Sequence, residues 1–272
     1  MKNLIKLNTA RNCLRYLIRA YNIKEIFIPY YICPTIWQAI QKENCKINFY
    51  HITQDFLPVQ EFDIDAFILY PNYFGICGKN IKYLASKYKN LILDSAHSFY
   101  TAKSYEVLAS FCSLRKFFDV ADGALLYTSK IIDIDLKKSE NYDFKKLKSY
   151  DDFCSNEARL DNNNIMAISE LSESTIKNID IKKQKEDRLK LFRYFENKYK
   201  NTNKLKIDIL KNEVPFVYPL LTTDKKILTE LLSQDILFLR YWNELPKQFT
   251  EYEFSKDLVP IPLKDYYYKA KG

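Results

Sequence analysis

The sequence predicts an α/β protein: a mainly parallel sheet flanked by helices, followed by a smaller C-terminal α+β domain. Three observations predict it. Short apolar runs, among them Ala66-Phe67-Ile68-Leu69-Tyr70 and Leu91-Ile92-Leu93, have the length and continuity of buried strands. They alternate with amphipathic stretches of about ten residues, the order that builds a parallel sheet with helices on both faces. Asp94 closes one apolar run, and in such sheets ligands bind beyond the carboxyl ends of the strands. The large domain is expected over residues 1–175, and a linking helix with the small domain over 176–272.

The elements follow in order. Ala10, Cys13, Leu14, Leu17, Ile18 and Tyr21 recur at helical spacing, with Asn8 or Thr9 as the cap. A helix N-terminus there, with Arg11 in its first turn, favours an anion. A short strand, 25–28, runs into Pro29 to Pro34, and Pro34 suits the start of the next helix, 35–43. Strands are expected at 46–50 and 65–70, an irregular turn at Pro71 to Gly75, a helix at 79–88 and strands at 90–94 and 104–112. Residues 133–152 are charged and read as a surface excursion. A long helix is predicted from Thr175 to about Lys200, its partial apolar stripe set among lysines. Strands at 205–209, 216–220 and 236–240 and a helix at 225–233 complete the small domain, with Tyr241 and Trp242 falling where a cleft edge belongs.

Composition narrows the partners. Of 272 residues, 47% are hydrophobic and 28% charged, as in a globular protein with a proper core, and no apolar run is long enough to span a membrane. The start of the chain has no apolar signal core, so a cytoplasmic location is expected. The six cysteines show no paired spacing, which points to free thiols rather than disulfides or a zinc site. A net charge of +8 raises a nucleic-acid reading, yet the lysines are spread through both halves, which argues against it.

One ordered set of residues carries chemistry. Asp94 stands at a strand end, and Lys116 follows 22 residues later in Ser113-Leu114-Arg115-Lys116. A pyridoxal phosphate site needs this layout: a lysine to condense with the aldehyde, an acid to keep the pyridine nitrogen protonated, and a hydroxyl for the phosphate. Ser113 and Ser110 compete for that last role. Phe117 and Phe118 follow the lysine, so its amine is expected to be buried and its pKa lowered, as a nucleophile near neutrality requires. Taken singly, Asp94 also suits a turn cap and His97 a packed histidine beside Phe99 and Tyr100.

On these residues the chain resembles the DegT-type sugar aminotransferases among the fold type I pyridoxal phosphate enzymes, as a short branch of that family. Thr9-Ala10-Arg11-Asn12-Cys13-Leu14 stands in the place of the family's Ser-Gly-Thr-x-Ala-Leu phosphate turn. Pro29 to Thr35 matches its Pro-x-x-Thr-(aromatic)-x-(small) segment, and Tyr73-Phe74-Gly75 the turn after the next strand. Asp94-Ser95-Ala96-His97 matches Asp-Ala-Ala-(His/Gln), which implies Asp94 as the ring-nitrogen partner and His97 as a neighbour of the ring. Lys116 with Asp122-Gly123-Ala124 matches the catalytic lysine and the strand after it. Asn163-Asn164-Ile165-Met166 resembles Asn-Tyr-Arg-Met, whose asparagine reaches the partner subunit's phosphate. The terminal Pro260 to Tyr266 is similar to Leu-Pro-Leu-His-x-Arg-Tyr.

The resemblance implies a homodimer with shared active sites that moves an amino group, from glutamate as donor, to a keto sugar in surface polysaccharide biosynthesis. Its catalytic residues would be Lys116, Asp94 and His97. Its cofactor contacts would add Ala10, Arg11, Tyr31, Cys33, Ser113 and Asn163, with Asn162 and Asn164 as alternatives to the last. The sequence also departs from the pattern. Cys33 stands where the family stacks an aromatic on the cofactor, leaving Tyr31 as the other candidate. Ala10 and Arg11 replace a glycine and a hydroxyl residue, so a guanidinium is expected to hold the phosphate. Ile165 replaces an arginine. The chain is shorter than the family pattern between Lys116 and the C-terminal part, which weakens any inference about a nucleotide-linked acceptor. Relatives that dehydrate sugars carry histidine for the lysine, so Lys116 argues against dehydration. A basic interaction module on a degenerate scaffold is the non-enzymatic alternative.

Overall fold

The structure is a computed structural model and describes residues 2–147, 149–161, 164–242 and 244–264. Its first part is a seven-stranded sheet. The strands are β1 (Asn3–Leu7), β2 (Glu25–Pro29), β3 (Lys46–Tyr50), β4 (Ile68–Pro71), β5 (Leu91–Asp94), β6 (Ala109–Ser113) and β7 (Ala124–Thr128), in the order β1-β7-β6-β5-β4-β2-β3. β7 runs antiparallel to both its neighbours, and the pairs from β6 to β3 are parallel. The helices α1 (Ala10–Tyr21), α2 (Pro34–Gln41) and α3 (Gly78–Lys87) connect the strands.

Side chains of the central strands alternate between two apolar cores, as the strand period of two requires. Ile68, Tyr70, Leu91 and Leu93 face one core with Ile81 and Leu84 of α3; Leu69 and Ile92 face the other with Leu14, Leu17 and Ile36 of α1 and α2. The sheet is therefore covered on both faces. That explains why its strands read as unbroken apolar runs.

After the sheet come α4 (Tyr150–Asp161), α5 (Glu170–Lys177) and α6 (Ile181–Tyr199). The chain closes with β8 (Val217–Leu221), α7 (Lys225–Ser233), α8 (Tyr252–Asp257) and β9 (Leu258–Pro262). β8 and β9 pair antiparallel, and Phe192, Phe195 and Tyr199 of α6 pack on them with Leu231 of α7.

Several expected elements differ. The excursion at 133–152 ends in α4, whose apolar side is too thin to show as a stripe. The single helix from Thr175 to Lys200 is two. It breaks at Asn178–Asp180, where the Asp180 carboxylate accepts from the Lys183 N–H at 2.9 Å and caps α6. The runs 205–209 and 236–240 are not strands; the strand expected at 216–220 is β8, and it pairs with β9, which lies outside the expected strands. Leu205 and Ile207 spend their apolar side chains on the cores.

Candidate active site

β4, β5 and β6 all end at one edge of the sheet, and a cleft of about 420 Å³ opens there. Thr9, Ala10 and Arg11 from the start of α1 line it, with Cys33, Asn72, Asp94, His97, Ser113, Arg115, Lys116, Glu157 and Trp242. The sequence-derived residues Ala10, Arg11, Cys33, Asp94, His97, Ser113 and Lys116 thus share one cavity. Tyr31 lies behind that lining, fully buried between the Tyr73 ring and the edge of Trp242. Ser110 is turned away and donates to the Ala102 carbonyl at 2.5 Å. Asn163 and Asn162 lie outside the described residues, as do Asp265 and Tyr266 of the terminal motif. The Asn164 carbonyl accepts from the Asn12 amide of its own chain at 3.0 Å.

Asp94 is held by the backbone around it. Its carboxylate accepts from the Ala96 N–H at 2.8 Å, and its carbonyl from the Asn72 N–H at 2.8 Å. Burial pushes its carboxyl up to about 6, against the opposing pull of the Ala96 N–H and of the Lys116 charge. A carboxylate in that state is poised to pair with a buried cation. Lys116 is held below the ordinary lysine range, mainly by burial. Its Nζ lies 2.8 Å from His97 Nε2. Burial, and then the Lys116 charge, push His97 far below the ordinary histidine range, so the ring is neutral and Nε2 accepts from the lysine ammonium. The imidazole cannot turn freely. It stacks on Phe216 at 4.8 Å and on Phe74 at 5.9 Å, and lies parallel to Trp242 at 5.8 Å, with interplanar angles of 14°, 22° and 3°.

Gly75 explains how this histidine comes so close to the preceding turn. It has φ of +78°, and a Cβ there would lie 2.6 Å from the His97 carbonyl oxygen. The Asp122 carboxylate of the sequence motif has a different task. It accepts from the Ser169 N–H at 2.9 Å and from its hydroxyl at 2.6 Å, fixing the start of α5.

At the other end of the cleft the Thr9 hydroxyl caps α1 by accepting from the Asn12 N–H at 3.2 Å, and no acid occupies the helix's first turn. The Glu157 carboxylate on α4 lies between two arginines: Arg11 Nη2 donates to it at 3.2 Å, and Arg115 is ion-paired with it. Asn72 Nδ2 is a buried donor without a partner, while its Oδ1 accepts from the Cys77 N–H at 3.0 Å. Sequence reasoning missed Asn72, Arg115 as an anion ligand, and Glu157. The last follows the lysine by 41 positions in the chain, and only the fold brings it back.

The donor set suits an aromatic phosphate ester. A helix start, two guanidiniums and the Ser113 hydroxyl could hold the anion, and a buried carboxylate could pair with a ring cation. A buried amine of lowered pKa serves an aldehyde. Among the described residues no group of three metal-ligating side chains occurs, and no helix is long and apolar enough to cross a membrane.

No protein-family model matches the sequence, and no curated protein matches it. Solved structures do match. A DegT/DnrJ/EryC1/StrS aminotransferase from Brucella abortus superposes with a TM-score of 0.63 at 11% identity, over 97% of this chain and 81% of that one. Helicobacter pylori PseC, an aminotransferase of pseudoaminic acid biosynthesis, gives 0.57 at 16% identity, over 96% and 81%. The GDP-4-keto-6-deoxy-D-mannose-3-dehydratase of E. coli, which holds hydrated pyridoxal phosphate, gives 0.63 at 13% identity, over 100% and 88%. The fold is therefore the fold type I transferase architecture that the sequence predicts.

Proposed function

We propose that the chain is a pyridoxal phosphate-dependent aminotransferase that takes its amino group from glutamate and gives it to the carbonyl of a keto sugar. The observation that carries this reading is the half-buried Lys116, its amine 2.8 Å from a neutral His97 and in the same cleft as Asp94 at a strand end. Pyridoxal phosphate supplies, when bound, an aldehyde and a pyridinium ring that stabilises negative charge on the carbon beside a bound nitrogen. The remaining work falls to this chain. Asp94 holds a positive ring nitrogen through its charge. Lys116, its pKa lowered by burial, takes up and returns a proton at Nζ. His97 accepts from Nζ and so fixes the arc over which the amine swings. The first turn of α1, Ser113, Arg11 and Arg115 bind the phosphate.

Surface polysaccharide biosynthesis, a cytoplasmic location and a homodimer with Asn163 reaching the partner's phosphate belong to the same reading. It is supported by the fold likeness to sugar-modifying enzymes. Borohydride reduction of protein incubated with pyridoxal phosphate tests it: the cofactor's mass should be fixed on Lys116 in a peptide digest. Glutamate added beforehand should convert the cofactor to its amine form and prevent that fixation. Fixation elsewhere, or indifference to glutamate, would overturn the reading.

A further inference from the structure

The phosphate end of the cleft is occupied by the protein itself. Arg11 and Arg115 leave only 11% and 16% of their side chains exposed, and both converge on the Glu157 carboxylate. Asp161, one turn further along α4, pairs with Arg11 at 3.0 Å but does not line the cleft. We propose that Glu157 is a built-in competitor for this subsite: its carboxylate fills the anion position in the empty protein, and an incoming phosphate takes its place on Arg11 and Arg115. The inference rests on the phosphate reading above.

Three features of the site point this way. Two guanidiniums with about ten donor N–H groups between them are not satisfied by the Glu157 and Asp161 carboxylates, and a phosphate offers three oxygens to the same fork geometry. The start of α1, with no acid in its first turn, lines the same cleft as the carboxylate and adds its dipole and first-turn N–H groups. Asn72, 1% exposed, lines the same cavity, and its Nδ2 is a buried donor that no group among the described residues, Glu157 included, satisfies. The cleft is therefore completed by a ligand with more acceptors than the chain's own carboxylate. Glu157 keeps Arg115 paired, and with Asp161 keeps Arg11 paired, when no phosphate is bound, which avoids the cost of leaving the cations uncompensated. Exchange needs no new fold. Asn156 holds α4 in place through the Ala121 carbonyl at 2.9 Å, so the carboxylate can turn out while the helix stays.

Calorimetric titration of cofactor-free protein with inorganic phosphate tests the exchange, comparing wild type with Glu157→Gln, Glu157→Asp and Asp161→Asn. Glu157→Gln should bind phosphate about tenfold more tightly, since its competitor is gone. Glu157→Asp keeps the charge but shortens the reach, so it should also tighten binding. A mere through-space repulsion would leave it at the wild-type value. Asp161→Asn removes an equal charge outside the cleft and should change affinity less than Glu157→Gln. Unchanged or weaker binding in both Glu157 variants would overturn the exchange and make Glu157 a support for the arginines. Circular dichroism of each variant checks that α4 persists. No phosphate binding by wild type or by either Glu157 variant would overturn the phosphate reading of the subsite itself, a result distinct from the first.

Discussion

Lys116 and Asp94 divide the proposed work, and each makes a separable prediction. Lys116→Ala should abolish glutamate-driven conversion of the cofactor while leaving the circular dichroism unchanged, because both the covalent attachment and the proton transfer depend on one amine. Conversion retained in that variant would reject the assignment. Asp94→Asn should lower turnover by orders of magnitude, since a neutral amide cannot offset a ring cation and a broken buried charge pair costs about 3–5 kcal/mol. The same substitution should do the opposite to the empty protein. Burial raises the Asp94 carboxyl to about 6, so the folded chain prefers it protonated. Ionisation then penalises folding, a cost absent below the unfolded pKa of about 4 and complete above about 6. Asp94→Asn should therefore stabilise the cofactor-free protein by up to about 3 kcal/mol at pH 8, and the gain should fade as pH falls from about 6 to about 4. Thermal unfolding of both proteins across that range checks it, and a gain independent of pH would rule out the burial account. These two residues were legible in the sequence because a strand end and a short spacer fix where they lie. Glu157 and Asn72 were not, since an unpartnered amide and a carboxylate between two arginines exist only in three dimensions.

At the scale of elements, the parts that were legible are those whose pattern is set by burial. β4 and β5 read as strands because both faces are covered, and α1 as a helix because one side packs on the sheet. α4 was hidden, since most of its side chains meet solvent and its role lies in Glu157 rather than in an apolar stripe. The runs at 205–209 and 236–240 mislead for the opposite reason. Their residue types suit strands, but backbone pairing was decided by β8 and β9, and Leu237 and Leu239 remain exposed. The turn after β4 shows one element holding another. Gly75 occupies the left-handed region against the His97 carbonyl, so Gly75→Ala combines backbone strain with a clash. It should cost about 1–3 kcal/mol in unfolding and weaken pyridoxal phosphate binding by moving His97 away from Lys116. An unaltered melting temperature would show that the turn relaxes freely and that His97 does not depend on it.

The whole molecule, as proposed, is a pair. The proposed phosphate subsite would draw on α1, Ser113 and two arginines, and Asn163 matches the residue that in the resembling family reaches the phosphate from the partner. Its neighbour Asn164 accepts through its carbonyl from the Asn12 side-chain amide near the start of α1. A two-fold interface is the commonest way for two copies to share such a segment, because each then supplies the other with the same residue. The consequence can be measured without knowing the acceptor. Lys116→Ala and an inactivating Asn163 variant should each be silent alone, yet subunits mixed under mild denaturation should recover activity. In a hybrid dimer one site lacks both residues and the other regains both, so a statistical mixture, half of it hybrids, reaches about a quarter of the wild-type sites. Ultracentrifugation should show the dimer before and after mixing. A monomer, or hybrids that form and stay inactive, would mean that each chain completes its own cleft.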